Sequence, residues 1–172
     1  GLPLTETSNI NTDERVENLH FDVGVVVAFG QLIGTKLLAR VPWINVHYSL
    51  LPRWRGASPV QHSLLYGDDV TGVTTFFLES HLDSGPVIAQ ATYAPRPNET
   101  GTTLLGELQI LGSSLAVQSL EIIEKQVVDA KPQIGEITYA PKIAVGDCRV
   151  QWNQSAVAID RQVRALFEKP TA

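Results

Sequence analysis

The run Val23-Gly24-Val25-Val26-Val27-Ala28-Phe29 decides the fold class that the sequence predicts. It is rich in β-branched valine and apolar at nearly every position, and Gly30 ends it. A strand that is apolar on both sides is typical of a parallel sheet whose two faces are both covered. We therefore predict that this run is a central strand of an α/β domain.

Strand and helix patterns alternate on either side of this run. Residues 1–20 are polar and predict a loop with one short helix. Beyond it, the patterns predict helices over 32–41, 58–66, 102–127 and from 155 onward, and strands over 43–47, 72–78 and 87–93. This order is typical of an α/β domain with a mainly parallel, Rossmann-like sheet. Two consecutive strands after residue 71 predict a mixed or antiparallel edge.

The last two helices are amphipathic, with apolar residues repeating at helical spacing. In the long helix the predicted inward residues are Leu104, Leu108, Leu111, Leu115 and Ile122. In the last helix they are Ala156, Ile159, Val163, Leu166 and Phe167. Residues 130–152, which contain Pro132 and Pro141, predict an extended connection between the two helices.

The length, composition, net charge and cysteine count of the chain exclude several classes of protein. The chain has 172 residues, 44% of them hydrophobic and 18% charged, which suits one globular domain. No apolar run approaches the roughly 20 residues that span a bilayer, so no membrane association is expected. The net charge is 13 − 18 = −5, which lacks the basic footprint of a self-sufficient nucleic-acid binder. The single cysteine, Cys148, excludes an internal disulfide and indicates a reducing, cytoplasmic location.

Asn45 and His47 are the first candidates for chemistry. Ligands of α/β sheets gather at the carboxyl ends of the strands, and this pair closes the strand predicted over 43–47. Residues two apart on a strand point to the same face, so an amide and an imidazole would address one atom. Taken singly, a strand asparagine or histidine is more often structural.

The context of this pair resembles a known family. The segment Asn45-Val46-His47-Tyr48-Ser49-Leu50-Leu51-Pro52 resembles the Asn-x-His-x-Ser-Leu-Leu-Pro signature of the folate-dependent formyltransferases. Thr71-Gly72-Val73-Thr74 and the later His81-Leu82-Asp83-Ser84-Gly85-Pro86 are similar to its second motif. The interval 83 − 47 = 36 also fits. The resemblance implies that Asn45, His47 and Asp83 are catalytic.

The resemblance also implies the two substrates. Formyl would come from 10-formyltetrahydrofolate, with no metal. By resemblance the folate site is lined by Ser49, Leu50, Leu51 and Pro52, and we expect Phe29, Gly30, Gln31 and Leu32 to flank its apolar slot. The form of residues 50–61 is most similar to family members that act on initiator methionyl-tRNA. Arg53 and Arg55 would then contact the tRNA, or equally be solvated loop residues.

Formyl transfer to an amine passes through a tetrahedral oxyanion, which preorganised donors stabilise. The Asn45 amide is a neutral donor, and a protonated His47 would be a charge-assisted one. An ordinary imidazole titrates near about 6.5, so we expect the Asp83 carboxylate to favour the charged form of His47. Asp83 could also accept the proton of the attacking amine.

The resemblance further predicts the domain organisation. Residues 1–130 would form the catalytic core, without the first strand and helix of the family fold. Residues 131–172 would be a linker and helix leading toward a C-terminal domain outside this sequence. Two alternatives stay open, namely a formyltransferase acting on an amino sugar nucleotide and a non-catalytic, folate-binding fragment. The sequence makes no prediction of oligomeric state.

Overall fold

The sheet is the centre of the fold, and helices pack on it. The computed structural model describes residues 4–167. Along the chain the elements are α1 (Glu14–Glu17), β1 (Gly24–Val27), α2 (Thr35–Leu38), β2 (Trp43–His47), α3 (Pro59–Tyr66), β3 (Thr71–Phe77), β4 (Val87–Tyr93), α4 (Gly101–Glu124), a 3₁₀ helix (Val145–Cys148) and α5 (Ala156–Leu166). The predicted order of strands and helices is confirmed. Within the described residues no helix is long and apolar enough to cross a membrane.

The sheet is mixed, in agreement with the antiparallel or mixed edge predicted after residue 71. It contains fewer parallel pairs than expected. Its four described strands lie in the order β1-β2-β3-β4. Only β1 and β2 are parallel, whereas β2–β3 and β3–β4 are antiparallel. For β3 and β4 the reason is chain length, because the loop over 78–86 is too short for the crossover that a parallel pair needs. The expectation of a mainly parallel sheet therefore holds only for its first pair.

The prediction that the valine run forms a central strand is wrong for the described residues. Among residues 4–167, β1 pairs with β2 alone, and it stands at the edge of the sheet. Val25 and Val27 are 42% and 49% exposed. On the other face, a Cβ at Gly24 would come within 2.2 Å of the Trp43 ring, so only glycine fits there. The apolar pattern shows that both faces suit burial, but it does not say which segment covers them.

The hydrophobic core lies between the sheet and the helices α3, α4 and α5. Its buried residues are Val46, Val60, Leu64, Val73, Leu104, Leu108, Leu115 and Ala165. Helix α4 begins at Gly101, where Thr100 and Thr103 form a capping box. Its Gly112 approaches the sheet closely, since a Cβ there would be 3.1 Å from Val46 and 3.5 Å from Val73. The predicted inward face of α4 is confirmed, with Leu111 and Ile122 at its half-buried margins.

Helix α5 packs on the core with only part of the predicted face, since Leu166 packs against the core and Ile159 is half-buried. Ala165 is buried, whereas three predicted inward residues, Ala156, Val163 and Phe167, are exposed. The guanidinium groups on α5 also hold the helix: Arg161 donates to the Tyr66 carbonyl (3.0 Å) and Arg164 to the Glu99 carbonyl (3.0 Å). Apolar periodicity therefore located only part of the packed face, and these two arginines add polar contacts that it does not reveal.

Residues 131–143, the return segment, are extended as predicted, but they pack against the core. Ala140 is fully buried, and backbone hydrogen bonds join this segment to the loop after β2: Arg55 N–H to Thr138 O (2.9 Å), Ala140 N–H to Arg55 O (2.7 Å) and Ser58 N–H to Ala140 O (3.1 Å). The assignment of 131–172 to a linker that leads to a further domain stays a prediction. Its residues 168–172 lie outside the described part of the chain.

Candidate active site

The carboxyl end of β2 carries the two polar side chains that the sequence singles out. Val46 packs into the helical core, so Asn45 and His47 on either side of it point to the opposite face. His47 is buried and Asn45 is half-buried. Within residues 4–167 the side-chain amide of Asn45 makes no hydrogen bond, so its NH₂ group can donate to a ligand.

Asp83 lies against His47, as the interval between the motifs predicts. The distance from His47 Nδ1 to Asp83 Oδ2 is 3.8 Å, and the two residues are only 6% and 9% exposed. The other ring nitrogen, Nε2, is 2.8 Å from the Trp54 carbonyl oxygen. A carbonyl oxygen only accepts, so Nε2 carries the hydrogen and Nδ1 faces the carboxylate. The structure therefore forms a buried histidine–aspartate pair.

The charge on His47 differs from the expectation. Burial lowers the pKa of His47 below its ordinary value, and the Asp83 charge and the Trp54 carbonyl raise it only in part. Removing an imidazolium from water costs more than one carboxylate at 3.8 Å returns. Asp83 favours the charged form of His47, as expected, but burial opposes that form more strongly, so the structure favours a neutral imidazole with a lone pair on Nδ1.

Asp83 is held in an unusual backbone conformation. Its φ of 46° lies in the left-handed region, where residues other than glycine are uncommon. The Gly56 N–H donates to Asp83 Oδ2 (2.7 Å), and the Gln133 side chain donates to the Asp83 carbonyl (2.8 Å). Both the carboxylate and the backbone of Asp83 are therefore fixed by residues distant in the sequence.

The residues predicted to line the folate site form two contrasting groups. Ser49 and Leu51 are buried, Pro52 is buried and Leu50 is half-buried. Ser49 Oγ donates to the Arg53 carbonyl (2.6 Å), and the Leu51 N–H donates to Thr74 Oγ1 (3.1 Å). These side chains therefore serve the internal structure of the loop.

Residues 29–32 are the exposed group. Phe29 is 40% and Leu32 is 79% exposed, and a Cβ at Gly30 would meet nothing within 4 Å. The Gln31 side chain is turned to the N-terminal segment, where it accepts from the Ile10 N–H and donates to the Ser8 carbonyl. Because β1 and β2 are parallel, residues 29–32 follow β1 at the same end of the sheet as His47, the last residue of β2.

The two arginines predicted for the tRNA both have partners within the chain. Arg53 forms two hydrogen bonds to Asp68 (3.1 and 2.5 Å) and stacks on the rings of Trp54 and Tyr66. Arg55 donates twice to Gln133 Oε1 (3.1 and 2.6 Å). Their proposed contact with tRNA stays a prediction, and any such contact would have to compete with these interactions.

Sequence reasoning missed the residues that support the pair. Trp54 supplies the carbonyl for His47, Gly56 the N–H for Asp83, and Gln133 the bonds to the loop of Asp83. A signal existed only at Gly56, whose φ of 120° requires glycine. Backbone donors and acceptors leave no mark in residue type. In the part of the chain that the structure describes, no group of three or more His, Cys, Asp or Glu could hold a metal ion.

Comparison with known families agrees with this geometry. A family described as formyl transferase matches residues 4–120 of the chain, and this match includes Asn45, His47 and Asp83. The chain therefore belongs to the formyl transferase family.

Individual relatives narrow the comparison. The chain is 45% identical over 177 residues to a protein from Paenarthrobacter aurescens and 40% identical over 178 residues to one from Acidothermus cellulolyticus, both named methionyl-tRNA formyltransferase. Each alignment takes in the whole of this chain but only 58% and 55% of those proteins. The chain thus spans a little over half the length of these relatives.

Solved structures share the fold at lower sequence identity. A sugar N-formyltransferase from a Shewanella species superposes with a TM-score of 0.79 at 19% identity, covering 92% of this chain and 66% of the other. HypX from Aquifex aeolicus, solved with tetrahydrofolic acid, gives 0.75 at 20% identity, covering 84% of this chain and 25% of that protein. These likenesses establish the formyltransferase fold.

Proposed function

We propose that this protein transfers the formyl group of 10-formyltetrahydrofolate to the amino group of initiator methionyl-tRNA. The observation that carries the proposal is the buried His47–Asp83 pair beside the free amide of Asn45 at the end of β2. The choice of acceptor is supported by relatives of that name at 40–45% identity along the whole chain. A cytoplasmic location belongs to the same proposal.

The proposed chemistry uses a neutral His47 whose hydrogen is on Nε2 and whose Nδ1 can accept a proton. The neutral amine attacks the formyl carbon, and the Asn45 amide donates to the developing oxyanion. Nδ1 of the neutral His47 accepts the proton that the amine releases, and Asp83 at 3.8 Å stabilises the resulting imidazolium. Nδ1 then returns this proton to the departing folate nitrogen as the carbon–nitrogen bond breaks. The proton lost by one nitrogen is thus gained by the other.

The exposed apolar side chains support the choice of formyl donor. Phe29 and Leu32 are exposed on the segment that contains Gly30, and Leu82, next to Asp83 in sequence, is 53% exposed. A flat pterin ring needs an apolar slot edged by backbone polar groups, which such residues would provide. In this proposal residues 49–52 contribute through their backbone and shape the loop, since their side chains are largely buried.

The test is a comparison of acceptors. The protein encoded by the complete reading frame around these residues is incubated with 10-formyltetrahydrofolate and either methionyl-tRNA or a nucleotide-linked amino sugar. Formyl products are quantified by mass spectrometry. We expect formylation of methionyl-tRNA alone. Formylation of the sugar alone would establish the alternative acceptor, and folate binding without any product would establish a non-catalytic folate-binding protein.

A further inference from the structure

Asp83 depends on contacts outside its own loop, because its backbone conformation is unfavourable. Residues in sparsely populated φ/ψ regions persist only where the surroundings fix them. The same loop approaches β3 closely, since a Cβ at Gly85 would be 1.8 Å from the Phe77 carbonyl. The loop therefore needs a partner that binds its carbonyl groups.

Gln133 is that partner. Its Nε2 donates to the Asp83 carbonyl (2.8 Å) and the Gly85 carbonyl (2.9 Å). Its Oε1 accepts from Nε (3.1 Å) and Nη2 (2.6 Å) of Arg55. Both amide hydrogens and both oxygen lone pairs are thus used. These partners also fix the orientation of the amide, because a flipped amide would face carbonyls with its oxygen and a guanidinium with its NH₂.

We propose that Gln133 is a positioning residue for formyl transfer, which holds the backbone of Asp83 so that the carboxylate stays against His47. The inference rests on the proposed function. Gly56 holds the Asp83 carboxylate and Gln133 holds its carbonyl, so each end of the residue has its own anchor.

The backbone on both sides of Gln133 is itself fixed. Lys131 and Val87 exchange two backbone hydrogen bonds (2.7 and 2.9 Å), which attach the return segment to the start of β4. Further along, Thr138 and Ala140 bond to the backbone of Arg55 on the loop after β2. The Gln133 amide therefore projects from a segment attached at both ends, as a positioning group requires.

Arg55 acquires a role in this arrangement. Its guanidinium orients the Gln133 amide by occupying both lone pairs of Oε1. If Arg55 acts through Gln133, its loss lowers kcat and leaves the KM for methionyl-tRNA unchanged. If it instead contacts the tRNA, its loss raises that KM.

The test uses two substitutions at one position in the protein from the complete reading frame. Gln133→Met removes all four hydrogen bonds while retaining much of the length and bulk of the side chain. Gln133→Glu keeps an acceptor for Arg55 but loses both N–H donors to the loop. The control is Gln151→Met, at an exposed position. Formylation kinetics, folate binding by fluorescence and the melting temperature are measured for each.

We expect kcat to fall on the order of 10²-fold in both Gln133 variants, the scale of a displacement of about 1 Å at a reacting group. KM and folate affinity should stay within about twofold of the parent, as effects on the chemical step alone require. Gln133→Glu should lower the melting temperature less than Gln133→Met does, because its carboxylate still accepts from Arg55. Unchanged kcat in either variant, or losses of kcat that simply follow the melting temperature, would overturn the proposal.

A readout without turnover separates this inference from the proposed function. The Asp83 charge raises the pKa of His47. Displacement of Asp83 should therefore lower that pKa further in Gln133→Met, which an NMR titration of the His47 ring measures, and not in Gln151→Met. If the parent lacks formylation activity, the proposed function fails, and this titration still decides the positioning role. An unchanged His47 titration in Gln133→Met would contradict that role.

Discussion

The two regions assigned to one active site are held in different ways. The region around His47 and Asp83 is buried, and its loop is tied to the return segment by hydrogen bonds from both backbone and side chains. The region over 24–32 lies at the sheet edge with Val25, Val27 and Phe29 between 40% and 49% exposed. The difference fits the proposed function, in which the first region would perform the chemistry with a preorganised pair and the second would offer apolar surface to a ligand.

The largest effect on formyl transfer is expected from Asp83→Asn, a substitution in the buried region. Asparagine tolerates the left-handed backbone, so the fold should survive while the charge beside His47 is lost. We expect formyl transfer to fall at least about 10³-fold, a barrier increase of roughly 4 kcal/mol, with folate binding retained. Steady-state formylation and folate titration measure both. Asp129→Asn, at an exposed position, is the control. Turnover within about tenfold of the parent would refute the role of Asp83.

The next effect concerns Asn45 and His47 as one unit. Asn45→Ala should lower kcat by on the order of 10²–10³, the scale of a lost oxyanion donor. If proton transfer by His47 and donation by Asn45 serve the same transition state, the double variant Asn45→Ala/His47→Ala should lose much less than the product of the two single losses. Single-turnover rates of the four proteins give the coupling. Full additivity would leave one of the two as a structural residue of β2.

The third prediction compares the two regions directly with one substitution in each. Leu51 is 5% exposed, so Leu51→Ala should destabilise the protein by about 2–4 kcal/mol through the cavity that it leaves. Phe29 is 40% exposed, so Phe29→Ala should cost less than about 1 kcal/mol but raise the KM for the folate substrate. Denaturant unfolding and kinetics with varied folate test both. A stable Leu51→Ala protein, or an unchanged folate KM in Phe29→Ala, would remove the contrast.

The smallest effect is a pH dependence of stability. The pKa of His47 is lowered in the folded state from 6.5, so the unfolded chain binds the proton more readily. Stability that is fully present above about pH 6.5 is therefore lost as the pH falls, by at most about 1.4 kcal/mol per pH unit. His47→Gln should flatten the unfolding free energy between pH 5 and 7, whereas His20→Gln, at an exposed position, should not. Equal slopes in the parent and His47→Gln would contradict the lowered pKa.

Residues that begin or end helices and strands explain why the bounds of several elements could be predicted from the sequence. Pro42 separates α2 from β2, Ser58 and Pro59 begin α3, and the left-handed Gly67 ends it. These residues act on their own backbone, so the predicted bounds of β2 and β4 agree with the structure at both ends. The contact between His47 and Asp83 was predictable because the two motifs resemble those of the formyltransferases and lie at the family's interval.

The remainder depends on partners far along the chain. Gln133 is 50 residues from Asp83, and Thr138, which accepts the Trp54 N–H, is 84 residues from Trp54. No local pattern specifies such pairs. The lowered pKa of His47 was not predictable for a related reason, since it depends on how deeply loops from elsewhere bury the ring. The packed face of α5 was predicted only in part, because an apolar pattern does not include the polar contacts of Arg161 and Arg164.

The attachment of the return segment to the catalytic loop has a consequence for biogenesis. Closing long loops is entropically costly, so contacts between residues far apart in sequence form late. A ribosome must release residue 140 before Arg55, Trp54 and Ser58 can bond to this segment, although the strands and helices up to Glu124 are already available by then. Nascent chains halted shortly before Gln133 should therefore already contain the sheet without an ordered Asp83 loop. The His47–Asp83 pair would then reach its final geometry only after the return segment has left the ribosome, later than the sheet that carries His47.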